Sequence, residues 1–184
     1  MSGERQVKVL IDEKTIAARI DALASEVAAL KPKDLLVAAI LKGSFMFAAD
    51  LLRALYRAGL EPNVEFFHLS SYRDGTVSSG VVTILRDIES SVKDRDVLLI
   101  DDILESGRTL AFAKDLLIAR GARRVVICAL LDKKGKRAVP IEADLVGFIC
   151  PDLFVVGYGM DVAHAYRELP FIGQVVTAAN GAKA

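Results

Sequence analysis

The residues best suited to chemistry lie in one stretch, Val97–Leu110, VLLIDDILESGRTL. Four apolar residues lead into paired carboxylates, Asp101 and Asp102. Two more apolar residues follow, then Glu105-Ser106-Gly107-Arg108-Thr109 at the expected start of a helix. Backbone N–H groups at a helix start lack intrahelical partners and favour an anion. Ser106 and Thr109 add hydroxyl donors, and Gly107 permits close approach of the backbone. A phosphate monoester fits such a loop. The two carboxylates would repel a phosphate at the same point, but they suit sugar hydroxyls or a Mg²⁺ ion, which prefers oxygen ligands. A phosphorylated ribose offers both features, one at each end. Taken singly, two acids ending a strand and a serine capping a helix are ordinary structural residues. The whole string is what points to a ligand.

Other chemistries find little support. There is no GxxxxGK[ST] and no GxGxxG after a strand. His68 lies in strand-like sequence and His164 in an expected short helix, and neither has an evident Ser or Cys partner. Cys128 and Cys150 lack metal-ligand spacing and read as reduced thiols. The formal net charge is zero, without the basic excess of a nucleic-acid binder. The start, MSGERQ, is charged and has no apolar h-region, so no secretory signal is expected. The uninterrupted apolar runs are too short to span a bilayer. A cytoplasmic protein with no membrane or nucleic-acid partner is the expectation.

The 184 residues suit one domain, 1–184, and 53% are hydrophobic, an excess that strands buried on both faces would produce. Val7–Ile11 reads as a strand. Ile16, Ile20, Leu23, Val27 and Leu30 form one stripe of a helix ended by Pro32. Leu35–Leu41 is a buried strand broken by Lys42-Gly43, and Phe45–Arg57 is a helix with Gly59 just beyond it. Val64–Leu69 and Val81–Leu85 are strands flanking the polar SSYRDGTVSSG. Val97–Ile100 is a strand whose following loop runs from Asp101 to Thr109, before a helix over about Leu110–Arg120. Val125–Leu131, Leu145–Ile149 and Phe154–Gly157 are further strands, and Val162–Arg167 is a short helical turn. The alternation predicts an α/β fold with a parallel central sheet flanked by helices. Ligands of such sheets bind beyond the C-terminal strand ends.

The central string resembles the 5-phosphoribosyl-1-diphosphate (PRPP) motif of the type I phosphoribosyltransferases. LKGSFMFAADL (41–51), SSYRDGT (70–76), LLDKKGKR (130–137) and FVVGYGMDVAHAYRELPFIGQV (154–175) are similar to consecutive blocks of the bacterial hypoxanthine(-guanine) phosphoribosyltransferases, over about residues 7–177. The resemblance implies the type I fold, with a small hood from about 1–15 and 150–177 and a lid over about 70–82 that includes Ser71 and Tyr72. It implies a purine salvage enzyme that transfers phosphoribosyl from PRPP to hypoxanthine, and also to guanine, giving the nucleoside monophosphate and diphosphate.

It also implies roles. Asp101 and Asp102 would hold the ribose hydroxyls, directly or through Mg²⁺. Glu105, Ser106, Gly107, Arg108 and Thr109 would bind the 5′-phosphate. Lys42 and Gly43 would contact the diphosphate, in the family through a non-proline cis peptide, and Arg167 would join them. Asp161 would bind a second Mg²⁺ beside the purine. Phe154 would stack on the base and Val155 would offer backbone groups to its edge. Lys133 would face the purine 6-oxygen. An ammonium only donates, so it would accept a 6-oxopurine and reject adenine, which presents an amino donor. On charge pattern alone, KKGKR is a solvated basic loop. The catalytic acid–base group would be Glu105. Here the chain departs from the family, which usually has Asp at this place, and the carboxylate sits one methylene farther out. Relatives form homodimers or homotetramers, and the same is expected here.

Overall fold

Strands that read as continuous apolar runs must be covered on both faces, and this sheet is. The computed structural model describes residues 5–71 and 82–177. Its six-stranded sheet has the order β4-β3-β2-β5-β6-β7. The strands are β2 (Leu36–Leu41), β3 (Asn63–Ser71), β4 (Val82–Arg86), β5 (Asp96–Leu104), β6 (Arg124–Asp132) and β7 (Leu145–Ile149). All neighbours pair in parallel except β3 and β4, which are antiparallel. Successive side chains point to opposite faces. Val37, Ala39, Leu98, Ile100, Cys128 and Leu130 therefore pack in a core with helices α1 (Glu13–Ala29) and α2 (Phe45–Arg57). Their neighbours Leu36, Ala38, Val97, Leu99, Ile127 and Ala129 pack in another with α3 (Arg108–Ala119).

Of the expected α1 stripe, Ile16, Ile20, Leu23 and Val27 are buried, whereas Leu30 lies past the last helical turn as the C-cap and is exposed. The Asp12 carboxylate caps the helix start by accepting the Thr15 N–H at 2.8 Å. A second sheet, β1-β9-β8, gathers the two ends of the chain. It joins β1 (Arg5–Ile11), β8 (Val155–Val156) and β9 (Ile172–Thr177), all antiparallel. It is the hood-like element, and it brings residues after 150 over the C-terminal ends of the parallel strands.

Three differences from expectation bear on the site. Strand β5 does not stop at Ile100 but continues to Leu104, because β6 runs alongside it as far as Asp132 and keeps its ladder paired. Asp101 and Asp102 are thus strand residues rather than loop residues. Helix α3 starts two residues earlier than expected, at Arg108, with Gly107 as its N-cap at φ +80°. Val162–Arg167 is not helical: Ala163, His164 and Tyr166 all have positive φ, and His164 lies in an exposed turn. There the Asp161 carboxylate accepts the His164 N–H at 2.8 Å, a local side-chain bond that competes with helix formation. Of the expected lid, Tyr72 and the rest of 72–81 lie outside the described residues, and Ser71 ends β3.

Candidate functional site

The C-terminal ends of β2, β5 and β6 open onto two adjoining hollows. The larger, about 600 Å³, is lined by Lys42, Gly43, Asp102, Ile103, Glu105, Lys133, Lys136, Phe154, Val155, Met160, Asp161 and Arg167. The smaller, about 160 Å³, is lined by Asp101, Ile103, Leu104, Glu105, Ser106, Gly107, Thr109 and Leu110. Ile103 and Glu105 belong to both walls, so one elongated ligand could occupy both hollows by passing across these two residues.

The smaller hollow is the start of α3. Gly107 needs its left-handed φ, and a Cβ there would lie 2.4 Å from Ile141 Cγ2. The turn is therefore tight from behind while its front stays open. Ser106 and Thr109 line this hollow. Arg108 opens the helix but is not among the residues lining either hollow.

Between the hollows stand the two carboxyls. Asp101 is buried, and its Oδ1 accepts the Asp102 N–H at 3.0 Å. Asp102 Oδ1 accepts the Ile103 N–H at 2.9 Å. Burial pushes the Asp101 carboxyl well above the ordinary range, and the neighbouring Asp102 charge adds to this. Burial likewise raises Asp102, against the opposing pull of hydrogen bonds and of Arg167. Asp102 also lies directly on Gly43. The peptide bond between Leu41 and Lys42, leading into that dipeptide, is cis, and neither residue is proline. Lys42 itself is exposed.

At the far end of the larger hollow, Lys133 is only 7% exposed. Its Nζ donates to the Leu153 carbonyl at 2.7 Å and lies 3.7 Å from Glu105 Oε1. The Leu153 carbonyl occupies one of three ammonium donors. Glu105 is also 3.9 Å from Lys136 Nζ, which itself pairs with Asp152 at 2.8 Å. The Glu105 carboxylate thus stands within 4 Å of both lysines. Phe154 is 58% exposed at the mouth, a ring with a free face. Val155 begins the two-residue β8. Arg167 pairs with Asp161 at 2.7 Å and donates to the Gly159 carbonyl at 2.6 Å. A Cβ at Gly159 would lie 2.2 Å from the Gly43 carbonyl oxygen, so this hood loop rests directly on the β2–α2 turn.

The sequence places Asp132 at a strand end facing the site but assigns no role to it, to Lys136 or to Arg137. All three sit in or beside KKGKR, which carries no signal distinguishing it from a solvated basic loop. Yet Asp132 is buried and Arg137 is mostly so.

The Phosphoribosyl transferase domain family model matches residues 6–163. A hypoxanthine phosphoribosyltransferase of Buchnera aphidicola is 41% identical over 92% of this chain and 96% of its own. The chain belongs to the hypoxanthine phosphoribosyltransferase family. A solved hypoxanthine phosphoribosyltransferase from Staphylococcus aureus superposes with a TM-score of 0.86 at 40% identity, covering 92% of this chain and 91% of that one. The bifunctional protein TilS/HprT of Listeria innocua is 47% identical over 90% of this chain, and there the chain spans 25% of the relative's length. The type I fold expected from the sequence is thus the fold observed, hood included.

Among the described residues, no group of three or more metal-ligand side chains converges. Asp101 and Asp102 are adjacent oxygen donors, one lining each hollow, and Asp161 also lines the larger one. Mg²⁺ is commonly held by one or two carboxylates, with substrate phosphates and water completing its shell. The residues present fit an ion that arrives with a phosphorylated substrate. No helix among the described residues is long and apolar enough to cross a membrane.

Proposed function

We propose that this chain transfers the 5-phosphoribosyl group of PRPP to hypoxanthine, and also to guanine, releasing diphosphate and IMP or GMP. The observation that carries it is the pair of hollows joined across Ile103 and Glu105. One is a helix-start anion cradle and the other holds a buried ammonium beside an exposed aromatic ring. The 5′-phosphate takes the Ser106–Thr109 turn. The ribose hydroxyls face Asp101 and Asp102. The base stacks on Phe154, with its 6-oxygen toward Lys133 and its edge toward the Val155 backbone. The diphosphate lies against Lys42, Gly43 and Arg167.

In the reaction the bond from C1′ to the diphosphate oxygen breaks, and its electron pair leaves with diphosphate. The purine ring nitrogen supplies the pair for the new C1′–N bond. The sugar passes through oxocarbenium character, as in glycoside hydrolysis. Glu105 takes or shares the proton of the purine imidazole nitrogen, a kind of step worth roughly 10²–10⁴-fold. Arg167 stabilises the charge on the departing diphosphate. The segment 70–82, with Ser71 and Tyr72, closes as a lid and excludes water that would otherwise hydrolyse PRPP. Asp101 and Asp102 would hold one Mg²⁺ and Asp161 a second, and the ions would supply neutralisation of the phosphate charge.

The chain acts in the cytoplasm as one domain, 1–184. It assembles as a homodimer or homotetramer, which accords with the exposed Val64, Phe66 and Leu85 at the edge of the large sheet. Light scattering after size exclusion tests the assembly. The function is tested by a PRPP- and Mg²⁺-dependent assay with hypoxanthine, guanine, xanthine, adenine and uracil. Turnover with hypoxanthine is expected, and turnover with adenine or uracil alone would overturn the assignment.

A further inference from the structure

Resting on that assignment of the Ser106–Thr109 turn to the 5′-phosphate, we propose that Arg137 is a positioning residue that aims the peptide groups of this turn at the phosphate, with Asp132 holding Arg137 in place. Nη1 of Arg137 donates to two successive carbonyls, Leu104 at 2.9 Å and Glu105 at 2.7 Å. Nη2 donates to Asp132 Oδ1 at 2.5 Å. The Asp132 side chain is 2% exposed and that of Arg137 14%, so neither is a surface charge sampling solvent.

In a trans peptide the carbonyl and the following N–H point in opposite directions. Drawing the Glu105 carbonyl back toward Arg137 therefore turns the Ser106 N–H forward, away from the guanidinium. Drawing back the Leu104 carbonyl does the same for the Glu105 N–H. The bracing continues along the chain: the Ala138 N–H donates to the Ser106 carbonyl at 2.9 Å, which turns the Gly107 N–H the same way. Arg137 Cδ would lie 3.3 Å from a Cβ at Gly107. The anion cradle is thus built by one arginine and the segment after it, from behind.

Orientation rather than charge is the contribution, because Asp132 compensates the Arg137 charge at contact distance. Asp132 is also the residue before Lys133 and pairs with Leu104 in the β5–β6 ladder. The Lys133 N–H donates to the same Leu104 carbonyl at 3.0 Å. The turn assigned to the phosphate and the lysine assigned to the base are therefore fixed to one carbonyl.

The test compares IMP with inosine, which lacks only the phosphate, by calorimetric titration of the wild-type protein and Arg137→Lys. Lysine keeps the charge but cannot span two carbonyls and a carboxylate as the planar fork does. Arg137→Lys is expected to weaken IMP about tenfold, the loss of a charge-assisted hydrogen bond, and to leave inosine within twofold. The PRPP KM should rise likewise with kcat little changed. Equal weakening of IMP and inosine would mean a merely structural role and would overturn the proposal, as would unchanged IMP affinity. If Arg137→Lys does not fold, Asp132→Asn gives the same reading, with a smaller IMP-specific loss expected and none overturning it. Failure of the wild-type protein itself to bind IMP would instead remove the functional assignment.

Discussion

A Cβ added to Gly43 would lie 1.7 Å from Oδ2 of Asp102 and 2.5 Å from its Cγ. The turn after β2 and the second acid of β5 are thus in contact with no room between them, so the glycine sets where the carboxylate stands. Gly43→Ala is expected to fold, with Asp102 displaced by about 1 Å or more. A misplacement of that size costs on the order of 10²-fold in kcat/KM. Steady-state kinetics check this. Adding Asp102→Ala should relieve the clash and recover the Tm without recovering activity.

Glu105 is expected to be the proton acceptor. Glu105→Gln keeps size and polarity but not basicity, and should lower kcat by about 10²-fold or more. Near-wild-type turnover would exclude Glu105 from the chemistry. Its neighbours at 3.7 and 3.9 Å are both lysines, so the substitution also affects base binding and the diagnostic quantity is kcat at saturating base.

Lys133→Met tests the reading of the 6-oxygen. Methionine fills similar space without a donor. Hydrogen bonds to charged groups contribute about 1.5–3 kcal/mol, so kcat/KM for hypoxanthine should fall by roughly 10–100-fold. The ratio of hypoxanthine to adenine turnover should narrow. A variant that keeps the full ratio would move base discrimination elsewhere.

Far from the site, Asp96 anchors the other end of β5. Its Oδ2 accepts from the Lys33 N–H at 2.9 Å, from Arg124 at 2.8 Å and from Arg123. Burial opposes its ionisation, but these donors prevail and hold the carboxyl below its ordinary value. A carboxyl lowered in the folded state adds stability above its unfolded pKa, about 3.9, and this is lost as pH falls through the folded value. Asp96→Asn should therefore lower stability at pH 7 by about 2 kcal/mol, discounted because both arginines are partly exposed. The Tm should fall by about 4–8 °C, and its decline below pH 4 should be shallower than in the wild type. Thermal melts from pH 7 to pH 2 measure both.

The sequence by itself determined the alternation of strands and helices, because burial on both faces leaves continuous apolar runs such as Leu35–Leu41, and burial on one face leaves stripes such as Ile16 to Val27. It also suggested a class of ligand, a phosphorylated sugar, since Asp101 to Thr109 is contiguous and its residue types carry their chemistry with them. Only the tertiary structure decided where β5 ends, because pairing with β6 past Ile100 is a long-range fact. It alone showed that the Val162–Arg167 turn is bound by the Asp161 carboxylate rather than helical. It alone carried the Glu105 carboxylate toward Lys133 and Lys136. Most of all, it separated Arg137 from the basic loop in which it is written. Burial and partners belong to the fold, and a guanidinium braced on Asp132 and two carbonyls has the same letter as one in water.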